Sequence, residues 1–567
     1  MATLALNPGF VCILAALIAL ALPRGARAPL MVGAAIIALW LMFDREFGAA
    51  AAEAQMGLQI VPVSIDALAQ IFGVAMLIAL IVLGLASGAR RSRSEDAAIL
   101  LLSGGAVSAL FVGDLISFAA AASLAGLAAA WIVFSSPSGG AARAGVRLLI
   151  WHGVEGLLFL VGVAFQLVVT AGNPIFAQLD THSVGGAFIF AALLIRAGAP
   201  LAHVWFKDAI AEASPVGAGA LTSFSTMLGI YAVARLYPSE PALIYIGLTL
   251  MAMSAAYAVA EDDFRRAAAS GQLICNGVCL LLVGVGSPLA LAAAEAHAFT
   301  TMFAFLALQL CFGAVFGRMG EARASSFVGL VRPMPITSLL LAFAGLAAAA
   351  MPGLAAFVTT MLSLEAVVQW RLLAGWIAIS VAPAVIFLGL MVRPALLAFR
   401  TEQKTAATFR EAPFPMLLAI GLAEFFCVSV GVAPNWLFGL LPADLAFQPY
   451  ALDRVAPQLE LLGGAGVVLL LLRAVRVAPL DQNIRLLDVD AFYRGPAANA
   501  GRWLGVVALR VYGAGRDVSE HAGAVVLRRL SALADECDRP YRAGLAQAAQ
   551  MATVLAVLAA ALVFRLF

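Results

Sequence analysis

The chain has 567 residues, of which 63% are hydrophobic and only 12% are charged, and its mean hydropathy is +1.00. Because soluble domains contain about one quarter charged residues, this composition excludes a soluble globular protein and predicts an all-α polytopic membrane protein. The formal net charge of +2 is too small to indicate a nucleic-acid partner. The sequence contains no phosphate-binding glycine loop, nucleotide fingerprint or metal-ligand cluster, so we expect no enzyme activity, cofactor or metal in this chain.

Apolar stretches of about 20 residues, the length that spans a bilayer, predict about sixteen transmembrane helices. They lie at residues 8–22, 29–43, 67–87, 97–112, 115–134, 148–170, 183–206, 216–236, 241–260, 267–287, 290–316, 333–371, 374–396, 413–435, 458–473 and 548–566. No basic leader precedes the first stretch, so we interpret it as a retained helix and not as a cleaved signal peptide.

Two of these spans carry signals for a broken helix. The span at 183–206 has Arg196 near its middle and Pro200 four residues later, and the stretch at 333–371 has Pro352 at its centre. A charge at membrane depth marks a functional site or a buried ion pair. Proline breaks a helix, and broken helices at this depth are typical of transporters. We therefore predict breaks near residues 200 and 352, in two related inverted halves.

Positive charge is unequal on the two sides of the predicted bundle. Loops that follow odd-numbered spans contain seventeen arginines and lysines, whereas loops that follow even-numbered spans contain only Arg45, Arg235, Arg371 and Arg454. By the positive-inside rule the first set of loops is cytoplasmic, and the N-terminus lies outside.

Composition changes after the fifteenth span, where arginines and acidic residues are interspersed. We predict a transmembrane domain at 1–475, an interfacial amphipathic extension at 476–546 and a C-terminal transmembrane anchor at 547–567. The extension is predicted to contain a helix with Val525, Leu530 and Leu533 on one face, which is typical of helices that lie in the membrane interface.

Residues 200–218 (PLAHVWFKDAIAEASPVGA) and 229–237 (GIYAVARLY) resemble the signature of the antiporter-like membrane subunits. These are the proton-channel subunits of respiratory complex I and the D subunit of Mrp-type multisubunit cation/proton antiporters. Further matches follow in order along the chain: Ile65–Leu68, Gly113–Ile116, Asp263–Arg266, Glu295–Phe299, Gly329–Pro335 and Asp488–Arg494. The resemblance covers roughly residues 60–500.

In this family, lysines, histidines and glutamates at mid-membrane are thought to pass protons, because burial lowers the pKa of a lysine. Here Arg196 replaces a lysine, and arginine does not release its proton. Other family positions have also lost their titratable group: Ser123 stands for a glutamate, Met227, Thr301 and Thr360 stand for lysines, and Met361 stands for an acid. Both lysines of the chain, Lys207 and Lys404, lie at span ends or in loops.

The titratable residues that remain within or beside the spans are the candidates for ion translocation. They are His152, Glu155, Asp114, Arg196, His203, Asp208, Glu212, Glu295, His297, Glu365 and Glu424. In one interpretation they form a substitute proton relay, with Arg196 as a fixed counter-charge. In the other they form ion pairs and hydrogen bonds that satisfy the broken helices, with Arg196 paired to Glu155 or Asp114.

The resemblance implies a multi-pass subunit of the bacterial inner (plasma) membrane. As a first hypothesis it works in a multisubunit cation/proton antiporter or related proton-translocating complex, with a degenerate proton relay, and its partners are other membrane subunits, lipid, protons and a monovalent cation. A second hypothesis is a non-conducting scaffold or docking subunit of such a complex. A third is a membrane partner in energy-coupled uptake of inorganic carbon. The sequence leaves open whether the complex is a redox-driven translocase.

Overall fold

The computed structural model describes residues 6–44, 47–49, 53–55, 58–87, 92–400, 410–443, 445, 447–474 and 503. Within them the helices are α1 Pro8–Ala21, α2 Arg24–Phe43, α3 Ala67–Ala86, α4 Arg93–Leu110, α5 Leu115–Phe134, α6 Ala141–Val169, α7 Val184–Ala197, α8 Val204–Glu212, α9 Pro215–Leu236, α10 Ala242–Ala260, α11 Phe264–Val285, α12 Pro288–Met319, α13 Ala324–Phe327, α14 Pro335–Ala348, α15 Ala355–Gln369, α16 Leu373–Ile386, α17 Arg393–Ala398, α18 Phe414–Val432, α19 Asn435–Phe438 and α20 Leu452–Ala474. The fold is mostly helical, as the composition predicts.

Each of the first fifteen predicted spans coincides with a helix or with a broken helix. Across the part of the chain that the structure describes, eleven helical stretches are long and apolar enough to cross a bilayer, and α1, α7, α14 and α15 are shorter apolar helices. The predicted span at 548–566, the extension at 476–546 and the anchor at 547–567 lie outside the described residues. The count of sixteen, the domain boundaries and the inverted relation of the halves therefore stay predictions.

The centre of the bundle is formed by α9, α11 and α12, which are buried almost all round, whereas α20 exposes most of its surface. α12 packs against α3, α9, α11, α14, α15 and α18. Small residues bring neighbouring helices close together, as is usual in membranes. Where α10 crosses α11, a Cβ on Gly247 would lie 2.5 Å from the carbonyl oxygen of Gly277.

Two features depart from the regular helices that the sequence predicts. Between α2 and α3, β1 Gly48–Ala49 pairs antiparallel with β4 Ser64–Ile65, and β2 Glu53–Gln55 pairs antiparallel with β3 Leu58–Ile60. Between α16 and α17 the chain is π-helical, four residues after Pro383. A proline inside a helix removes a backbone donor, and such wide turns are a known consequence of a disturbed hydrogen-bond ladder.

The first break, near Pro200, is confirmed. α7 ends at Ala197, Gly198 is left-handed with φ 74°, and Leu201 has φ 73° before α8 begins. Side chains satisfy the freed carbonyl groups, as membrane depth requires. Trp205 Nε1 donates to the carbonyl oxygen of Ile195 at 2.9 Å, and an asparagine on α11 donates to that of Ala197 at 3.3 Å.

The second break, near Pro352, is also confirmed. α14 ends at Ala348 and α15 begins at Ala355, with left-handed Ala350 (φ 53°) and Gly353 (φ 93°) between them. Gln458 Nε2, from α20, donates to the carbonyl oxygen of Ala350 at 3.1 Å. Both breaks are thus supported by polar side chains that reach in from a different helix or from beyond the break.

Candidate ion-translocation site

A buried polar group lies beside the first break and consists of His152, Glu155 and Arg196, which we call the arginine cluster. Arg196 is in the last turn of α7, and the other two residues lie one turn apart on α6. Arg196 Nε and Nη2 each donate to a carboxylate oxygen of Glu155 at 2.7 Å. His152 Nδ1 lies 2.9 Å from Glu155 Oε2. Arg196 therefore pairs with Glu155, and not with Asp114.

The arginine cluster presents a fixed ion pair at the position where the resemblance implies a proton carrier. Arg196 and Glu155 are each only 2% exposed, and their bidentate bonds are of the strong, charge-assisted kind. Because a guanidinium does not release its proton, the exchangeable member of the cluster is His152. Its Nε2 has no hydrogen-bond partner among the described residues, and its ring lies 5.0 Å from that of Trp205.

The position of the lost family glutamate, Ser123, lies next to this cluster. Arg196 Nη2 donates to the carbonyl oxygen of the preceding residue, Ala122, at 2.9 Å. The hydroxyl of Ser123 would lie 3.7 Å from a Cβ on Gly156, which follows Glu155 on α6. A glutamate at residue 123 would therefore face the helix that already supplies the carboxylate of the ion pair.

The predicted polar elbow after the first break is a helix, α8, and most of it is buried. Lys207 is 2% exposed, and its Nζ lies 3.7 Å from the centre of the Tyr257 ring, within the range of a cation–π contact. Lys207 follows the first break, as predicted, but it lies within a short helix and its side chain is buried. The sequence places it correctly after the break, but tertiary packing of α8 against neighbouring helices removes it from water.

Asp208 is the carboxylate of a second ion-paired group on α8. It lies 2.9 Å from Arg147 Nε and 3.2 Å from Arg266 Nη2, so it links α6, α8 and α11. His203, the residue before α8, is 1% exposed, with its ring 6.2 Å from that of Tyr257. His203 and Asp208 are thus both buried at α8.

Three other candidates have structural partners away from the arginine cluster. Glu212, at the end of α8, accepts a hydrogen bond from Ser138. Asp114 caps α5, because its Oδ1 accepts from the amide of Ser117 at 2.7 Å while its Oδ2 accepts from that of Val61 at 2.9 Å.

Glu365, on α15, lies 3.1 Å from Arg454, and both side chains are about one third exposed.

A hydroxyl-rich group lies beside the second break, and we call His297, Thr300 and Thr359 the hydroxyl cluster. His297 Nδ1 lies 3.2 Å from Thr359 Oγ1, which in turn lies 2.9 Å from Thr300 Oγ1. Thr359 is on α15, in the second turn after the break, and the other two are on α12. At the lost lysine positions, Thr301 donates to the carbonyl oxygen of His297 at 2.6 Å, and Thr360 is buried.

Glu295 lies two residues before His297 and enters a narrow crevice between α3, α9 and α12. The crevice has no room for a water molecule. Its lining is apolar except for Glu295, and consists of Ile71, Phe72, Ala75, Met76, Met227, Glu295, Ala298, Phe299 and Met302. Met227 occupies a position where the resemblance implies a lysine. The side chain that replaces this lysine therefore lines the same crevice as the Glu295 carboxyl.

Sequence reasoning missed a group of charges at the start of α4. Arg27 Nη1 lies 2.8 Å from Asp96 Oδ2, and both side chains are almost fully buried. The preceding residue, Glu95, accepts a hydrogen bond from Ser214, the residue that caps α9. The signal was present in the sequence as two adjacent acids before the span at 97–112, outside the apolar stretches from which the spans were predicted.

Residues at the start of α11 support the elbow between α8 and α9. Arg265 donates to the carbonyl oxygens of Ala211 at 2.9 Å and Ala213 at 2.7 Å, at the end of α8. Asp263 caps α11, and burial raises the pKa of its carboxyl although Arg265 and Arg266 are close by and oppose this change. These residues are structural supports of the elbow.

The chain is similar to known proteins in sequence and in fold. The family model described as "NADH:quinone oxidoreductase/Mrp antiporter, TM" matches residues 112–387. NADH-quinone oxidoreductase subunit L of Mycobacterium tuberculosis (strain ATCC 25618 / H37Rv) is 30% identical over 274 residues, which are 45% of this chain. The match covers 42% of the length of that relative, so less than half of the relative corresponds to this chain.

Solved structures share the fold over most of the chain. A chain of the Mrp complex from Dietzia sp. DQ12-45-1b superposes with a TM-score of 0.72 and 20% identity, covering 95% of this chain and 64% of that chain. A chain of respiratory complex I from Thermus thermophilus superposes with a TM-score of 0.64 and 20% identity, covering 81% of this chain and 100% of that chain.

Proposed function

We propose that this chain, which matches the family model over residues 112–387, is an antiporter-like membrane subunit of a multisubunit proton-translocating complex. Its partners are other membrane subunits, as in the Mrp complex and complex I to which its fold is similar. It is not itself the catalyst of a chemical reaction. The ions are protons and, in an antiporter, a monovalent cation as well.

One observation carries this proposal: titratable or hydroxyl-bearing residues are buried beside both helix breaks. Arg196, Glu155 and His152 lie at the first break, and the hydroxyl cluster lies at the second. Burying polar groups at membrane depth is costly, and a chain that needed only to anchor a complex would gain nothing from two such positions. Broken helices with polar surroundings are the usual construction of ion paths.

A second candidate function, the non-conducting scaffold, is favoured by the arginine cluster and by the crevice. Arg196, which is paired with Glu155, stands where the family has a proton-carrying lysine. Its guanidinium does not release a proton. The crevice beside Glu295 has no room for water. Proton transfer past the arginine cluster or through this crevice therefore requires a rearrangement that opens the packing, whereas a scaffold requires none.

As part of the same proposal, the chain lies in the bacterial inner membrane with its N-terminus outside. The orientation rests on the unequal distribution of basic residues between alternate loops. The third hypothesis, a partner in uptake of inorganic carbon, stays a prediction, because no contact among the described residues favours it.

The test is to purify the complex gently from native membranes, identify the co-purifying chains and reconstitute it into vesicles for proton-flux measurements. Redox subunits would indicate a redox-driven complex, whereas small antiporter subunits would indicate an Mrp-type complex. For the chain expressed alone, we expect no robust cation-dependent proton flux.

The decisive variant in the reconstituted complex is His297→Ala, because His297 is buried in the hydroxyl cluster. The matched control is His182→Ala, because His182 is exposed. Loss of flux in His297→Ala alone supports the conducting subunit. Equal flux in both variants and the parent complex supports the scaffold, and absence of other membrane subunits from the purified material contradicts both.

A further inference from the structure

Two carboxyl groups, on α12 and α18, are buried without a counter-charge among the described residues. Glu424 is near the middle of α18, ten residues after its first residue and eight before its last, and Glu295 is in the second turn of α12. Each residue is 6% exposed. Glu424 Oε1 and Glu295 Oε2 are buried with no hydrogen-bond partner among the described residues. Neither carboxyl has an ion-pair partner in that part of the chain.

The helices around Glu424 supply no cation that faces it. α18 packs against α3, α12, α14, α15 and α19. α3, α14 and α19 contain no ionisable side chain. α15 contains Glu365, which is paired with Arg454. On α12 the only arginine is Arg318, in the last turn, and it donates to the backbone carbonyl oxygen of Glu411.

The remaining ionisable groups near Glu424 are thiols. Cys427 lies on the same helix, three residues later, and Cys311 lies on α12 and interacts electrostatically with the carboxyl. Both thiols are free and buried. On the rest of α12, the other ionisable groups are Glu295 itself and His297, whose Nδ1 is engaged with a threonine hydroxyl. None of these neighbours supplies a fixed positive charge.

Glu295 also lacks a counter-charge, because the side chains around it are apolar. Its crevice is formed by apolar side chains, and Met227 from α9 lines it. An amine at residue 227 would give the carboxyl a counter-charge, but methionine gives it none. Asp66, at the start of α3, acts on Glu295 with a charge of the same sign. The arginine of α9, Arg235, is paired with Asp66 and not with Glu295.

An isolated carboxylate in an apolar interior is strongly disfavoured, and such a group neutralises by taking up a proton. We propose that Glu424 and Glu295 bind protons in this chain, as neutral carboxylic acids that replace the amines of the family pattern. In the net reaction one carboxylate oxygen gains a proton and a hydronium ion of the aqueous phase becomes water, and release is the reverse. For Glu295 this exchange requires the crevice to open, because the crevice has no room for water. This inference rests on the proposed function for its role in transport, but proton binding itself is measured separately.

Glu155 is the internal contrast within the same protein. It is as deeply buried as the other two carboxyls, but it receives two bonds from Arg196 and lies in hydrogen-bond contact with His152. It is therefore held as a carboxylate. The chain thus provides a control carboxyl that is also buried but has a counter-charge and hydrogen-bond partners.

The experiment measures the infrared carbonyl stretch of protonated carboxylic acids in the full-length protein, in vesicles near neutral pH. We expect Glu424→Gln and Glu295→Gln each to remove intensity from this band, and Glu155→Gln to remove none. An unchanged band in Glu424→Gln would overturn the inference for that residue. Loss of intensity in Glu155→Gln would overturn the reasoning from counter-charge.

A second pair of variants tests Glu295 without removing it. Met227→Lys introduces an ammonium into the crevice, and we expect it to abolish the Glu295 contribution to the band while the Glu424 contribution stays. Met227→Leu keeps the crevice apolar and leaves the band unchanged. If both variants give the parent spectrum, Glu295 is not the group that holds the proton.

The spectra and the flux measurements separate the two proposals. The expected spectra together with a complex that passes no protons would mean that the acids bind protons but the chain does not conduct. A conducting complex in which Glu424→Gln and Glu295→Gln change neither flux nor spectrum would overturn this inference and leave the proposed function standing.

Discussion

The ion pair between Arg196 and Glu155 should be a major determinant of stability for the first broken helix. The variants to compare are Arg196→Met, Glu155→Met and the double variant. Methionine is chosen because it is apolar and flexible enough to fill the space that the charged side chain leaves. Each single change leaves one charge buried without its partner. Removal of one member of a buried pair costs about 3–5 kcal/mol.

The structure sets where in that range the values should lie. Arg196→Met breaks two bonds of 2.7 Å to Glu155 and one of 2.9 Å to a backbone carbonyl oxygen. It leaves Glu155 with His152 alone. Hydrogen bonds to charged groups contribute about 1.5–3 kcal/mol each, so the single change should reach the upper part of the range. The double variant leaves no unpaired charge and should be destabilised less than either single variant.

The assay is equilibrium unfolding in mixed micelles with increasing mole fraction of denaturing detergent, followed by the loss of helical signal. The control pair is Arg454 with Glu365, at 3.1 Å and about one third exposed. Methionine substitutions there should couple by at most about 1 kcal/mol. Additive effects of Arg196→Met and Glu155→Met, or the same coupling in the control pair, would refute the reasoning.

Two further predictions concern packing and orientation. Gly247→Ala should lower the free energy of unfolding by about 1–3 kcal/mol, because the new Cβ would lie 2.5 Å from a carbonyl oxygen of α11. The control Gly421→Ala should not destabilise the protein, because there is open space around Gly421. Equal effects of the two variants in an unfolding titration would contradict the packing argument. For orientation, an impermeant thiol reagent added to right-side-out vesicles should label His182→Cys but not Glu321→Cys. The background is a protein with Cys537 replaced by serine, in which the described cysteines are buried. The reverse labelling pattern would contradict an outside N-terminus.

The helix breaks were predictable because proline and glycine act locally. Pro200 and Pro352 each lie within the segment that separates two helices, and the lack of a backbone donor is a property of the residue itself. The positions of the apolar helices follow equally from local composition. In both cases the information lies within one stretch of sequence, so no knowledge of the neighbours in space was needed.

The environment of charged residues was less predictable, because it depends on partners distant in sequence. Lys207 looks like an elbow residue, but Tyr257 on α10 packs over it. Asp96 looks like a loop residue, but it pairs with Arg27 on α2. In contrast, His152 and Glu155 are one turn apart, and their contact follows from helix geometry. A pairing within one helix was thus visible in the sequence. Of the pairings between helices, the one between Arg196 and Glu155 was among the predicted alternatives, whereas those of Lys207 and Asp96 were not predicted.

Arg196→Lys distinguishes two explanations for an absence of proton flux at the first break. Either only the proton-carrying side chain is missing, or water cannot reach this position. Lysine keeps the positive charge opposite Glu155, but it lacks the bidentate geometry and its proton becomes exchangeable when it is buried. If water reaches the first break during turnover, the reconstituted complex should gain proton flux in Arg196→Lys and not in Arg196→Met. Unfolding measurements on both variants provide the control for folding. A folded Arg196→Lys complex with no more flux than the Arg196→Met complex would mean that the break is sealed by its packing, and that the guanidinium serves to hold α6 and α7 together.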